Sequence, residues 1–244
     1  MKLKTIYFFL SFCIIFSCIS CKKIKKTDAE IERENWISGF TDSIDYYQER
    51  SRQLQSRLDL VNTKIGGMLD NFELVKNPRE VSGYYLVKGW QKKLPFTTTG
   101  IYARINENEK FEMIATLGGA TFNQVSVGSF NSEVVPHDQA FNFRHERFNS
   151  VYFIGGKIDT IAEYISTYHQ DKIKLEYLEQ GKVKKNFEIP KDEKDMISQT
   201  WNLYSAKREA LTLEKELWIS SHKIDTFRRI LEEENQRQNS KNNK

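Results

Sequence analysis

The stretch Asp28–Phe72, DAEIERENWISGFTDSIDYYQERSRQLQSRLDLVNTKIGGMLDNF, decides the architecture of this chain. Its apolar residues recur in steps of three and four: Ile37, Phe40, Ile44, Tyr47, then Leu54, Leu58, Val61, Ile65, Met68 and Phe72, with only Ser51 interrupting. That spacing averages about 3.5 residues, so one stripe keeps facing a neighbouring helix over many turns. A second run near the other end has the same rhythm: Met196, Gln199, Leu203, Ala206, Ala210, Leu213, Leu217, Ser220, Ile224, Phe227 and Leu231. Neither stripe is stable in water, and each has the length to cover the other. The expected fold is therefore α+β: a long antiparallel helical hairpin, or coiled coil, with a mostly antiparallel β domain between its arms. Pairing between two chains through the same helices is the alternative that such a seam leaves open.

Composition narrows the function classes. Of the 37 basic residues, six (Lys2, Lys4, Lys22, Lys23, Lys25 and Lys26) precede residue 27, leaving 31 against 33 acidic residues in the body of the chain. The basic balance is thus local to the beginning of the chain, and a nucleic-acid-binding face is not expected. All three cysteines, Cys13, Cys18 and Cys21, also lie there, which excludes a disulfide framework or cysteine zinc site in the rest.

Residues 1–21 are laid out as a secretory signal: Lys2 and Lys4, then an apolar run from Ile6 to Phe16 too short to span a bilayer, then small residues and cysteine. The sequence Ile15-Phe16-Ser17-Cys18 resembles the lipobox of bacterial lipoproteins. The resemblance implies a diacylglyceryl thioether on Cys18, cleavage before it, and location in the bacterial cell envelope, at the periplasmic face of the outer membrane or the cell surface. Cys21, preceded by Ser20, is the alternative lipidation site.

The remaining punctuation sets the expected boundaries: signal peptide 1–17, lipidated basic tether 18–27, long helix 28–76, β-rich domain 80–190, second long helix 191–234 and polar tail 235–244. Thr27 or Asp28 is placed to cap the first helix, and Asn77-Pro78 to stop it. From Val81 the period becomes two. Strands are predicted at Gly83–Val87, Thr98–Ile105, Phe111–Thr116, Thr121–Val127, Ala140–Arg147 and Val151–Ile154. A helix is expected from Lys157 to His169, then a hairpin, Lys172–Leu178 and Lys182–Ile189, turned at Glu179-Gln180-Gly181. Beyond Leu231 the chain is polar and predicts fraying. A second apolar edge on the last helix (Ile197, Trp201, Tyr204, Leu211 and Trp218) predicts contact with the β domain near 197–204, and leaves Trp218 for a wide intrachain face or a further chain.

The candidate chemistry is thin. His137-Asp138, His145-Glu146, His169 and His222 offer ligands or bases, but no H-E-x-x-H or His-x-His spacing accompanies them. Gly155-Gly156-Lys157 before a helix resembles a phosphate loop only loosely, because the Walker spacing is absent. No G-x-S-x-G elbow occurs. The sequence therefore predicts neither catalytic nor metal residues and no cofactor. It predicts a non-enzymatic envelope module that projects its β domain on a helical stalk to a protein or polymer partner. A periplasmic holdase is the competing class, and an enzyme of unrecognised type a more distant third. Aromatic residues crowding the β region would supply the core and, in part, an exposed binding platform.

Overall fold

The computed structural model describes residues 26–76, 82–94, 99–136 and 148–242. Its elements run α1 (Asp28–Leu69), β1 (Phe72–Val75), β2 (Tyr84–Val87), a 3₁₀ turn (Gln91–Lys93), β3 (Gly100–Asn106), β4 (Phe111–Gly118), β5 (Gln124–Val127), β6 (Phe130–Asn131), β7 (Phe148–Ile154), α2 (Gly156–Thr167), β8 (Lys174–Glu179), β9 (Lys182–Glu188) and α3 (Lys191–Asn242). The α+β class, with two long packed helices, antiparallel sheets between them in sequence and one short helix, is as expected. The chain divides into two compact units, residues 1–49 with 221–244 and residues 50–220.

The smaller unit is built from the first half of α1 and the end of α3. A capping box starts α1: the Thr27 amide donates to Glu30 Oε2 (2.7 Å) and the Glu30 amide to Thr27 Oγ1 (3.3 Å). Bonds from the Thr27 amide and, at 3.0 Å, the Thr27 hydroxyl hold the Glu30 carboxyl below its ordinary pKa, the amide contributing most. Phe227 packs against Phe40 and Tyr47, with ring centroids 5.5 and 6.0 Å away, and Lys223 donates to the Tyr47 hydroxyl at 2.7 Å. In place of the fraying expected beyond Leu231, α3 remains helical to Asn242. Side-chain pairs one turn apart support it, among them Gln238 Nε2 to Glu234 Oε1 (2.9 Å) and Arg229 with Glu233 (4.0 Å).

The larger unit holds the rest of the seam and both sheets. Leu54, Leu58 and Val61 bury against Ala210 and Leu213, flanked by Ile65 and Leu217. Charged pairs line this seam, Arg50 with Glu216 (2.9 Å) and Arg57 Nε with Glu209 (3.0 Å). Gly66 and Gly67 stay helical. Phe72, which the stripe placed at the end of the helix, instead opens β1, paired with Val87 of β2. The sheet claims it because Asp70 and Asn71 form the turn that redirects the chain.

One antiparallel sheet has the order β1-β2-β3-β4-β7, the other β6-β5-β8-β9. Alternation sends Ile101, Ala103, Ile105, Met113, Ala115, Leu117, Val151 and Phe153 to one face of the first sheet, all essentially without solvent contact. They join one core with Phe122, Val125, Val127, Leu175 and Tyr177 of the second sheet and its approaches, and with Ile158, Ile161 and Ile165 of α2. The first turns of α3 complete it: Met196, Ile197 and Leu203 are buried, and Trp201 and Tyr204 each place their rings 5.4 Å from Phe111. Seven predicted strands, those of the final hairpin included, recur with shifted ends. The strand predicted at Ala140–Arg147 lies outside the described residues, and β6 was not foreseen. The final hairpin turns at Gln180-Gly181, both with positive φ (53° and 73°), a conformation that Gly181 adopts without strain.

The seam makes a direct prediction. Leu58→Ala should lower unfolding stability by about 2–4 kcal/mol, whereas Leu60→Ala, two residues away but 71% exposed, should change it by less than about 0.5 kcal/mol. Urea unfolding followed by circular dichroism checks both; equal losses would place the seam elsewhere.

Candidate binding surface

The β6 hairpin and α2 together hold aromatic rings at the surface. β5 and β6 are joined by Gly128-Ser129, and Gly128 has φ 60°, which lets so short a turn close and returns Phe130 opposite Val127. Phe130 then stacks on Tyr164 of α2 (centroids 5.6 Å), and Tyr164 on Tyr168, one helical turn further (4.8 Å). Tyr164 is half-buried, but Phe130 and Tyr168 stay 37% and 46% exposed, and Val134, just beyond β6, is also exposed. Lys157 and Glu133 form an ion pair beside them (3.2 Å). The hint in the sequence was a surplus of aromatics; which ones stay outside depended on β6, too short to show a period.

The opposite face of the first sheet carries polar groups instead. Arg104 and Glu112 are cross-strand neighbours, both buried, joined by Nε to Oε2 at 2.6 Å. Asn106 Nδ2 donates to the other carboxylate oxygen (2.8 Å), and the guanidinium lies 4.2 Å from the centroid of Tyr84 and 5.2 Å from that of Tyr152. On the same face the hydroxyls of Thr116 and Ser150 bond at 2.8 Å. Arg104 and Glu112 are both charged, and neither is stable buried alone. Register puts them opposite each other, and only paired can both charges be buried.

A third polar cluster fastens α3 to β3. Among the described residues β2 pairs with β3 only at Asn106 and Ile105, and no described strand covers the amides of Ile101 and Ala103 on that side. Glu193 Oε2 accepts from Ile101 (2.9 Å) and Met196 Sδ from Ala103 (3.4 Å), one helical turn apart on α3. Burial pushes the Glu193 carboxyl up to about 7, against the lowering effect of the Ile101 amide. Burial likewise raises the Tyr177 hydroxyl, which lies near Glu193 and donates to the Gly100 carbonyl at 3.1 Å.

The residues weighed from the sequence scatter. Cys18, Cys21, His137, Asp138 and His145 lie outside the described residues. His169 Nδ1 is 2.9 Å from the Ser166 carbonyl at the end of α2, and His222 is on exposed α3. Gly155 takes φ 118° to turn β7 into α2, and Lys157 is spent on Glu133, so this turn has the geometry of a strand-to-helix connection. Among the described residues no group of three or more His, Cys, Asp or Glu side chains is placed to hold a metal, and no helix is long and apolar enough to cross a membrane.

The buried pair can be tested. Arg104→Met leaves Glu112 without its cation and should cost about 3–5 kcal/mol, while Arg104→Met with Glu112→Leu should recover most of that loss. Urea midpoints of the two variants decide; a double variant as unstable as the single one would show that the face requires charge.

Comparison of the chain with protein-family models, with curated proteins and with solved structures finds no match, so its function is argued from its own residues.

Proposed function

We propose that this protein is a non-enzymatic binding or structural module of the bacterial cell envelope, anchored through an acylated cysteine and offering its β-rich unit to a protein or envelope polymer. The observation that carries the binding reading is the stack Phe130–Tyr164–Tyr168, whose outer rings remain in water on a hairpin and a helix while the other described aromatic side chains of the same unit, Trp218 excepted, are buried or half-buried. Exposed rings held by secondary structure lose little conformational freedom on binding, which favours them as contact residues. The anchoring reading rests on Ile15-Phe16-Ser17-Cys18, with Cys21 as the second acceptor. Several acyl chains on one cysteine hold a protein firmly, at about 0.8 kcal/mol for each buried methylene. The long helices then serve as the spacer between lipid and partner.

A holdase is the second reading. Its support is the separate set of exposed apolar residues on the helices, Leu60, Leu211 and Trp218, in addition to the aromatic stack. Dispersed apolar contacts suit extended clients without sequence preference.

In-cell crosslinking of the full chain, followed by mass spectrometry of lipid and captured proteins, tests both. We expect lipid on Cys18, its loss in Cys18→Ala with Cys21→Ala, and a recurrent partner whose capture falls at least about tenfold in Phe130→Ser with Tyr168→Ser. Capture of many unrelated clients would establish the holdase instead. Unchanged capture by the aromatic variant would remove the stack as the binding surface.

A further inference from the structure

The joint between α3 and β3 has a feature that neither anchoring nor partner binding uses. A carboxyl, Glu193, only 7% exposed, closes the open edge of a strand by accepting a single backbone hydrogen bond, Ile101 N–H to Oε2 at 2.9 Å. Of the nearby cations, Lys93 reaches Glu193 only as a weak, lowering charge, and Lys194 is committed elsewhere. Lys93, on the 3₁₀ turn, pairs with Asp192 (2.8 Å) and lies 4.3 Å above the Trp90 ring. Lys194, on the same helical turn as Glu193, donates to the Asp171 carbonyl. From β8 the facing group is the Tyr177 hydroxyl, which is directed to the Gly100 carbonyl, and β3 itself contributes only backbone at Gly100 and Ile101. Asp192, the adjacent acid, adds like charge. The field of the helix N-terminus favours an anion here, but one amide and a helix end replace only part of the hydration that a carboxylate loses on burial.

We infer that Glu193 is a protonation-dependent latch, seating the first turn of α3 on β3 while its carboxyl is neutral and loosening that joint when it ionises. The loosened state frees the amides of Ile101 and Ala103, which no described strand covers.

Linkage fixes the sign. An unfolded glutamic acid loses its proton near 4.5, and the folded carboxyl near 7, so between these values the folded chain binds the extra proton. Stability contributed by the joint is therefore full below about 4.5, falls as pH rises through that window, and levels off above about 7.

Two measurements on the full chain test the latch. The ¹³C resonance of the Glu193 carboxyl should titrate with a midpoint near 7. Protection of the Ile101 amide, corrected for intrinsic exchange, should drop about tenfold between roughly pH 5 and pH 8, while that of Met113 on β4 stays level. Glu193→Gln, whose side-chain carbonyl accepts the same bond without a charge, should abolish the drop. A carboxyl midpoint below about 5 would overturn the inference, as would an equal loss of protection in Glu193→Gln; should that variant fail to fold, the titration of the unaltered chain decides alone.

Discussion

Strand β3 has more backbone donors than its neighbouring strands can satisfy, and the larger unit is organised around that shortage. β4 covers one side along most of its length, but β2 pairs with only Ile105 and Asn106 on the other. A buried, unpaired amide is expensive. The solution is a helix laid against a strand edge, with Glu193 and Met196 as acceptors at the spacing of one helical turn. Once α3 is seated there, Met196, Ile197 and Leu203 fall over the core face of the sheet, and Trp201 and Tyr204 reach Phe111. The same helix continues into the seam with α1, where Ala210 and Leu213 meet Leu54, Leu58 and Val61.

The two faces of the first sheet differ in the polar groups that they bury. The inner face of the first sheet is apolar except for the half-buried Asn149 at its end, and shares its core with the second sheet, α2 and α3. The opposite face buries Arg104, Glu112, Thr116 and Ser150, paired across strands. Pairs of this kind add little net stability, because desolvation offsets most of their attraction, but they penalise any register that separates the partners. A one-residue slip of β3 against β4 would turn one of the two charges toward the apolar core and leave the other without its partner. Correct register is thereby enforced on a sheet that has no disulfide to fix it.

The binding role proposed for this chain depends on the side chains that such packing leaves outside. Phe130 and Tyr168 remain in solvent although a large core lies within one strand of them, because Tyr164 occupies the space between β6 and α2. The sequence showed an aromatic excess and the period of α2; it did not show β6, whose two residues are too few for any periodic signal. The second apolar edge of α3 was legible in the same partial way. Its first part, Ile197, Trp201 and Tyr204, meets the β-rich unit as the spacing implied, whereas Leu211 and Trp218 stay 50% and 66% exposed.

The features that the sequence determined by itself depend on periodicity and local chemistry. The seam and its three-four spacing, the cap at Thr27 (one of the two candidates) and the turn at Gln180-Gly181 are all readable over a few residues, because each is decided by neighbours in the chain. The features that only the tertiary structure decided depend on which distant residues meet. Phe72 leaves the helical stripe because β2 offers it a partner, and Arg104 and Glu112 are buried because register sets them face to face. Glu193, one more acid in the first turn of a helix by sequence, becomes a buried, easily neutralised carboxyl because an unpaired edge of β3, 92 residues earlier, needs an acceptor at that point.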